Sequence, residues 1–136
     1  MKIILCGIAA SLMIVQPAMA DEDSPLAKQM EAMNDAYKAM RRETDPAKGA
    51  ALARDAQDAI AKAFTEIPEL VKAMPEGADK AKASAEYRKM MGGMISTLAD
   101  MELAFLAGNL DKVKEIVDSM REMKKKGHDK FMEEDE

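Results

Sequence analysis

Cysteine is almost missing from this chain: the single one, Cys6, sits inside an N-terminal apolar run, so no internal disulfide and no thiolate metal site is available. Strand signals are missing as well. Val and Ile are scattered, Ala and Met dominate, and apolar residues recur at steps of three and four, which predicts helices throughout. Enzyme constellations are absent too. No serine or cysteine nucleophile stands beside a base, no glycine loop is built for phosphate, and no Glu-x-x-His metal motif occurs. Nor is there an excess of positive charge. With 20 basic and 25 acidic side chains, the balance argues against nucleic acid and anionic lipid as partners.

What is present begins with a leader. Met1-Lys2 is a short positive start, Ile3 to Val15 is apolar apart from Gly7 and Ser11, and Ala18-Met19-Ala20 places small residues where a signal peptidase reads. The apolar run falls short of the ~20 residues a membrane span needs. Residues 1–20 are therefore expected to be a secretory signal peptide cut before Asp21, with the periplasm as destination and no membrane contact afterwards. Taking those twenty residues from 136 leaves a 116-residue domain, residues 21–136, with one core. Lys2 and Cys6 leave with the leader, which makes the net charge −6 and the domain free of cysteine.

Four helices are expected in that domain. Ser24-Pro25 is a cap residue followed by proline at the first helical position, and Leu26, Met30, Met33, Tyr37 and Met40 then form one stripe. Thr44-Asp45-Pro46 repeats the signature and opens a second helix, with Leu52, Ala56, Ala59, Ala63 and Ile67 as its stripe, Ile60 and Phe64 beside it, and Pro68 as its end. Residues 68–78 hold Pro68, Pro75 and Gly77 and make the longest connection. Asp79 is expected to cap the third helix, whose stripe is Tyr87, Met91, Met94, Leu98, Met101 and Phe105. Gly108-Asn109 is a stop and restart. The fourth helix presents Leu110, Val113, Val117, Met120, Lys124, His128 and Phe131, and an acidic tail, Glu133 to Glu136, follows. Short connections and stripes stepping by about 3.5 residues predict an all-α, antiparallel up-down-up-down four-helix bundle with helices crossing at about 20°.

Antiparallel order brings particular residues to one end. Leu26, Met30 and Met33 open the first helix, Phe64, Ile67 and Pro68 close the second, Tyr87, Met91 and Met94 belong to the third, and Lys124, His128 and Phe131 close the fourth. The only histidine thus meets an early methionine among apolar walls. A neutral imidazole and a thioether are the axial pair of a low-spin haem, and the thioether favours the ferrous state. Lys124, one turn before His128, is placed to lean over a ring edge toward a propionate. Two protein ligands leave no open iron position, which favours electron transfer over catalysis. No Cys-x-x-Cys-His is present, so any haem would be noncovalent.

The pattern Leu26-x-x-x-Met30-x-x-Met33-Asn34-Asp35, with Gly108 twenty residues before His128, resembles the soluble cytochrome b562 family. Ile67-Pro68-x-Leu70 is similar to that family's proline turn, and Tyr87 and Met91 fall where it places two aromatic pocket residues. The resemblance spans the whole domain. It implies Met30 and His128 as iron ligands, and haem b held noncovalently in a small periplasmic electron carrier that serves redox partner proteins as a monomer. Leu26, Met33, Phe64, Pro68, Tyr87, Met91, Met94 and Lys124 would then surround the cofactor. The chain departs from the pattern at Lys124, where arginine is frequent, at Met91, which replaces an aromatic, at Met132, which stands in a basic position, and in a longer loop between the second and third helices.

Three features have other readings. Fourteen methionines, three of them in the leader, raise copper(I) buffering through thioethers as the alternative, in a haem-free bundle that binds metal or another protein. Most of the remaining methionines lie on the inner stripes, where packing accounts for them, whereas Met90, Met123 and Met132 do not. Asp55 and Asp58 form an i, i+3 carboxylate pair of the kind common on solvated faces. Gly92-Gly93, inside the third helix, weakens it by about 2 kcal/mol relative to alanine, and three readings stand open: it admits another helix or a porphyrin face, it is simply tolerated in a stable bundle, or it bends the helix.

Overall fold

The computed structural model describes residues 24–132, so the leader and the acidic tail lie outside the described residues. Local chemistry sets the helix ends. The Ser24 hydroxyl accepts from the Ala27 N–H at 3.1 Å and opens α1, Pro25–Met40. The Asp45 carboxylate accepts from the Lys48 N–H at 2.9 Å and opens α2, Pro46–Phe64. In both, proline at the first helical position supplies a preset φ where no N–H is needed.

α2 stops at Phe64, earlier than Pro68, and Ile67 lies beyond its end. The proline disfavours helical geometry at the residue before it, and the Thr65 hydroxyl donates to the Lys62 carbonyl at 3.0 Å to close the last turn. Buried Pro68 then leads into a single helical turn, α3, Glu69–Lys72, which tucks Val71 into the core.

The longest helix is α4, Ala78–Leu106, and α5 is Leu110–Phe131. Asp79 is not the cap of α4. Gly77 holds that place with φ +149°, a conformation side-chain-bearing residues rarely adopt, so the chain enters the helix before Asp79 is reached. Asp79 instead puts its carboxylate in the first turn, where the helix dipole favours it. Between α4 and α5, Gly108 takes φ +67°, its N–H donates to the Phe105 carbonyl, and the Asn109 N–H donates to that of Ala104. That double closure is a Schellman ending. The Asn109 side chain then caps α5 by accepting from the Lys112 N–H at 3.0 Å.

Cross-helix pairs give the topology. Gly49 faces Phe105 and Ala63 faces Tyr87, Glu86 faces Lys130 and Gly127 faces Met90, and Asn34 faces Lys124 as Tyr37 faces Val117. In each seam the numbers rise on one helix as they fall on the other. The molecule is an all-helical, antiparallel four-helix bundle, α1–α2–α4–α5, with no strand among the described residues.

Packing around the bundle is uneven. One face of α2 is a run of small buried residues, Gly49, Ala50, Ala53, Ala56, Ala59 and Ala63, against which α1 and α4 both pack closely. α4 also packs on α5, whereas α1 and α5 make few close backbone approaches. Phe105, Met40, Ile60, Leu98 and Met101 fill the fully buried centre. The stripe expected on α4 is buried along its whole length, and α5 buries Ile116 in addition to Val113, Val117, Met120 and Phe131.

The two glycine environments differ in kind. A Cβ on Gly49 would fall inside the Phe105 ring, so this glycine is what lets α2 and α4 approach. A Cβ on Gly92 would meet nothing within 4 Å, and one on Gly93 only the Met123 methyl at 3.8 Å. Gly92-Gly93 therefore admits no neighbouring helix, and α4 runs through it unbroken. Opposite outcomes follow for the same substitution. Gly49→Ala overpacks a buried ring, at about 1–3 kcal/mol, more than the fraction of a kcal/mol that propensity returns near a helix start. Its urea midpoint should drop with m unchanged. Gly92→Ala should raise the midpoint, by about 1 kcal/mol of stability.

Candidate functional site

Tyr87 ties the expected ligand end together. It is buried on α4, its hydroxyl donates to the Ala63 carbonyl of α2 at 2.7 Å, and its ring meets Phe131 of α5 edge-on, with centroids 5.5 Å apart at 82°. Beside it, Lys130 of α5 pairs with Glu86 of α4 at 2.8 Å. That hydrogen bond holds the exposed Glu86 carboxyl below its ordinary range. Burial, helped by the negative charge of Glu66, pushes the Tyr87 phenol up to about 12, so it remains a donor at neutral pH.

Around this anchor the structure gathers the other expected residues. Met33, Met91 and Met94 are buried, as is Pro68, while Leu26, Met30 and Phe64 are half-buried against the core. Lys124 is half-buried and its ammonium donates to the Asn34 side-chain oxygen at 2.9 Å, across the gap between α5 and α1.

His128 departs from expectation: it is exposed and not part of the buried stripe, and Leu110 at the other end of α5 is exposed too. Helical rotation explains this. At about 100° per residue, position 128 lies some 40° round from position 124. Residue 127 faces α4, where its missing Cβ leaves room for the Met90 sulfur, and residue 124 faces α1. His128 therefore stands on the α1 side of α5, at the rim of the gap rather than within the core. Met30 bears the same relation to Asn34 on α1, one turn along. Stepping from Asn34 back to Met30 and from Lys124 on to His128 moves about 6 Å in the same direction on two antiparallel helices. The two sulfur- and nitrogen-bearing side chains thus occupy one level, on either side of the seam that packs least closely.

The chemistry of this donor set suits a haem iron: it offers one thioether and one imidazole, and Met33, Tyr87, Met91, Met94 and Phe131 supply buried apolar side chains on α1, α4 and α5. It does not suit a hard or structural metal ion, and no group of three His, Cys, Asp or Glu capable of holding one occurs among the described residues. Met90 and Met123, left unexplained by periodicity, fill the α4–α5 seam. Met90 lies against Gly127, and the Met123 sulfur accepts from the Thr97 hydroxyl at 3.6 Å. Packing thus accounts for both without copper, and Met132 is about half exposed. Asp55 and Asp58 are exposed. A surface groove lined by Met40, Arg41, Arg42, Val113 and Arg121 lies at the opposite end of the bundle, remote from these donors.

The model for the family described as cytochrome b562 matches residues 25–132, from the first residue of α1 to just past the end of α5. The chain belongs to the cytochrome b562 family. It is therefore a member of a family of haem-binding, electron-transfer helical bundles that are not typically enzymes and that hold haem b noncovalently. No match was found among curated proteins or solved structures. No helix among the described residues is long and apolar enough to cross a membrane.

Glu86, Gly127 and Lys130 also belong to this end, unmarked by the sequence, and Asn34, which stands in the motif after Met33, had no role assigned to it. Asn34 carried a usable signal, its position one turn after Met30. The others pair across helices and have no local signature. Tyr87 yields a test with a defined sign. Tyr87→Phe should cost about 1 kcal/mol at neutral pH, since the Ala63 carbonyl keeps its bond from the Glu66 N–H. With the folded phenol raised from 10.0 to about 12, the unfolded chain loses its proton first. Stability from the neutral phenol is thus complete below pH 10 and falls as pH rises toward 12. Thermal melts of the parent chain between pH 9 and 12 should show that fall, and those of Tyr87→Phe should lack it.

Proposed function

We propose that this chain is a periplasmic electron carrier that binds one noncovalent haem b, with Met30 and His128 as the axial ligands. The observation that carries the reading is the level pairing of these two residues across the α1–α5 seam, marked by the Asn34–Lys124 hydrogen bond. When bound, the cofactor supplies a one-electron ferric–ferrous couple.

The chain's own residues do the rest. His128 offers a ring nitrogen to the iron, and its exposure leaves the other nitrogen able to donate to water. Met30 offers a soft sulfur that favours the reduced state and raises the potential over a second histidine. Met33, Met91, Met94 and Phe131 keep water from the inner side, and Tyr87 holds α2, α4 and α5 around them without ionising. Lys124 has three N–H donors, one of them directed at Asn34, so two remain for a propionate. With Met30 and His128 both holding the iron, a bound haem would have no open position for substrate, and the exposed rim beside His128 would be where an electron could enter or leave. The partners would be redox proteins that meet this rim, with the carrier acting as a monomer after loss of residues 1–20.

Reconstitution with haemin tests the reading. A ratio of one haem per chain, sharp α and β bands on reduction, and full release of haem by acidified organic solvent are expected. Met30→Ala should give high-spin ferric iron and a lower reduction potential. His128→Ala should weaken haem binding by more than the roughly 100-fold that marks the upper end of second-shell losses. Unchanged spectra in both variants would overturn the ligand assignment. Absence of a Soret band in the parent chain would leave a haem-free bundle.

A further inference from the structure

We propose that Asn34 and Lys124 are a positioning pair that sets the register between the two helices carrying Met30 and His128, and that the uncharged acceptor at position 34 keeps the Lys124 charge available to the site. The role of the pair toward the ligands rests on the haem reading above. Its role in register does not.

The α1–α5 seam has little else to align it. The other seams are held by close packing, through the alanine face of α2 and the Met90–Gly127 and Met123–Gly93 contacts of α4 with α5. Between α1 and α5, two hydrogen bonds cross among the described residues. One runs from the Tyr37 hydroxyl to the Val117 carbonyl at 3.4 Å, near the limit for such a bond. The other is Lys124 to Asn34 at 2.9 Å, half-buried and made by a charged donor, which is the stronger class. Tyr37 and Val117 lie two turns or more from the proposed ligands. Asn34 and Lys124 lie one turn from them, and only this bond shares their register.

The chemistry of the acceptor matters separately. An aspartate at position 34 would accept the same hydrogen bond but would also neutralise Lys124. Asparagine aligns the lysine and leaves it cationic. A retained positive charge beside a haem edge disfavours the extra positive charge of the ferric state and attracts a propionate.

Three variants, read first with haem bound and then without it, separate these roles. Haem dissociation from the loaded protein should quicken about tenfold in Asn34→Ala and in Lys124→Met, the size expected for one half-buried charge-assisted bond. It should stay within about twofold of the parent in Asn34→Asp, whose midpoint potential should instead fall. The second readout needs no haem. Spin labels at Glu31→Cys and Lys125→Cys, both exposed positions, in a Cys6→Ser background report the α1–α5 separation. The distance distribution should be narrow in the parent and in Asn34→Asp, and broad in Asn34→Ala. Equal widths in all three would overturn the register claim. Asn34→Ala and Asn34→Asp losing haem equally fast would overturn the positioning claim, and an unchanged potential in Asn34→Asp would overturn the charge claim. Failure of the parent chain to take up haemin would sink the ligand reading and with it the pair's role toward the ligands, and the label distances would still decide the register.

Discussion

Close packing on the small-residue face of α2 is the constraint from which the rest of this bundle follows. Alanines and Gly49 let α1 and α4 approach α2 until the Phe105 ring occupies the space a Cβ would need. Four helices around one axis share a limited core, and tight contact on the α2 side is matched by looser contact opposite. The looser seam lies between α1 and α5, the two helices that carry the histidine and its methionine counterpart. A site built there needs no hole in the core. It uses the face of the bundle where the helix backbones approach each other least closely, and the dense α2 side holds that face in shape.

Polar chemistry at this end is sparse and each piece is satisfied. Among the described residues, no buried side-chain nitrogen or oxygen lacks a partner. The Tyr87 phenol, deepest of these groups, is answered by the Ala63 carbonyl and stays neutral because burial penalises the phenolate. Lys124 is answered by an amide oxygen, which keeps its charge in play, and Lys130 by the Glu86 carboxylate, which cancels it. One end of the molecule thus combines apolar walls, a half-buried lysine held by an amide oxygen and a histidine at the rim. Such an environment is low in dielectric inside and polar at its edge, as a haem with buried faces and exposed propionates requires.

Much of this was legible from the chain. Ser24, Asp45 and Asn109 cap helices through a side chain reaching three residues along, an interaction too local to be overridden by the fold. The stripe from Tyr87 to Phe105 is legible for a related reason: every member is large and apolar, so only one face of α4 can be inward. Legibility failed where the deciding contact came from another helix or from backbone conformation. Asp79 looked like a cap, but Gly77 starts the helix first. Gly92-Gly93 left close approach, toleration and a bend all open, and only the structure shows it facing open space, while Gly49, the glycine that does admit a neighbour, drew no reading from the sequence.

By itself, the sequence determined four amphipathic helices, the caps that open three of them, their antiparallel order, and hence which end of the bundle receives Met30 and His128. Those properties depend on period, on capping and on connection length, each a matter of neighbours along the chain. Tertiary structure alone decided that His128 lies at the rim instead of inside, that α1 and α5 stand apart, and that Asn34 meets Lys124. Periodicity gives the face of a helix only to within a residue or so, about 100° of rotation. The packing of α2 against its two neighbours removes that freedom, and with it settles which side chains face the seam.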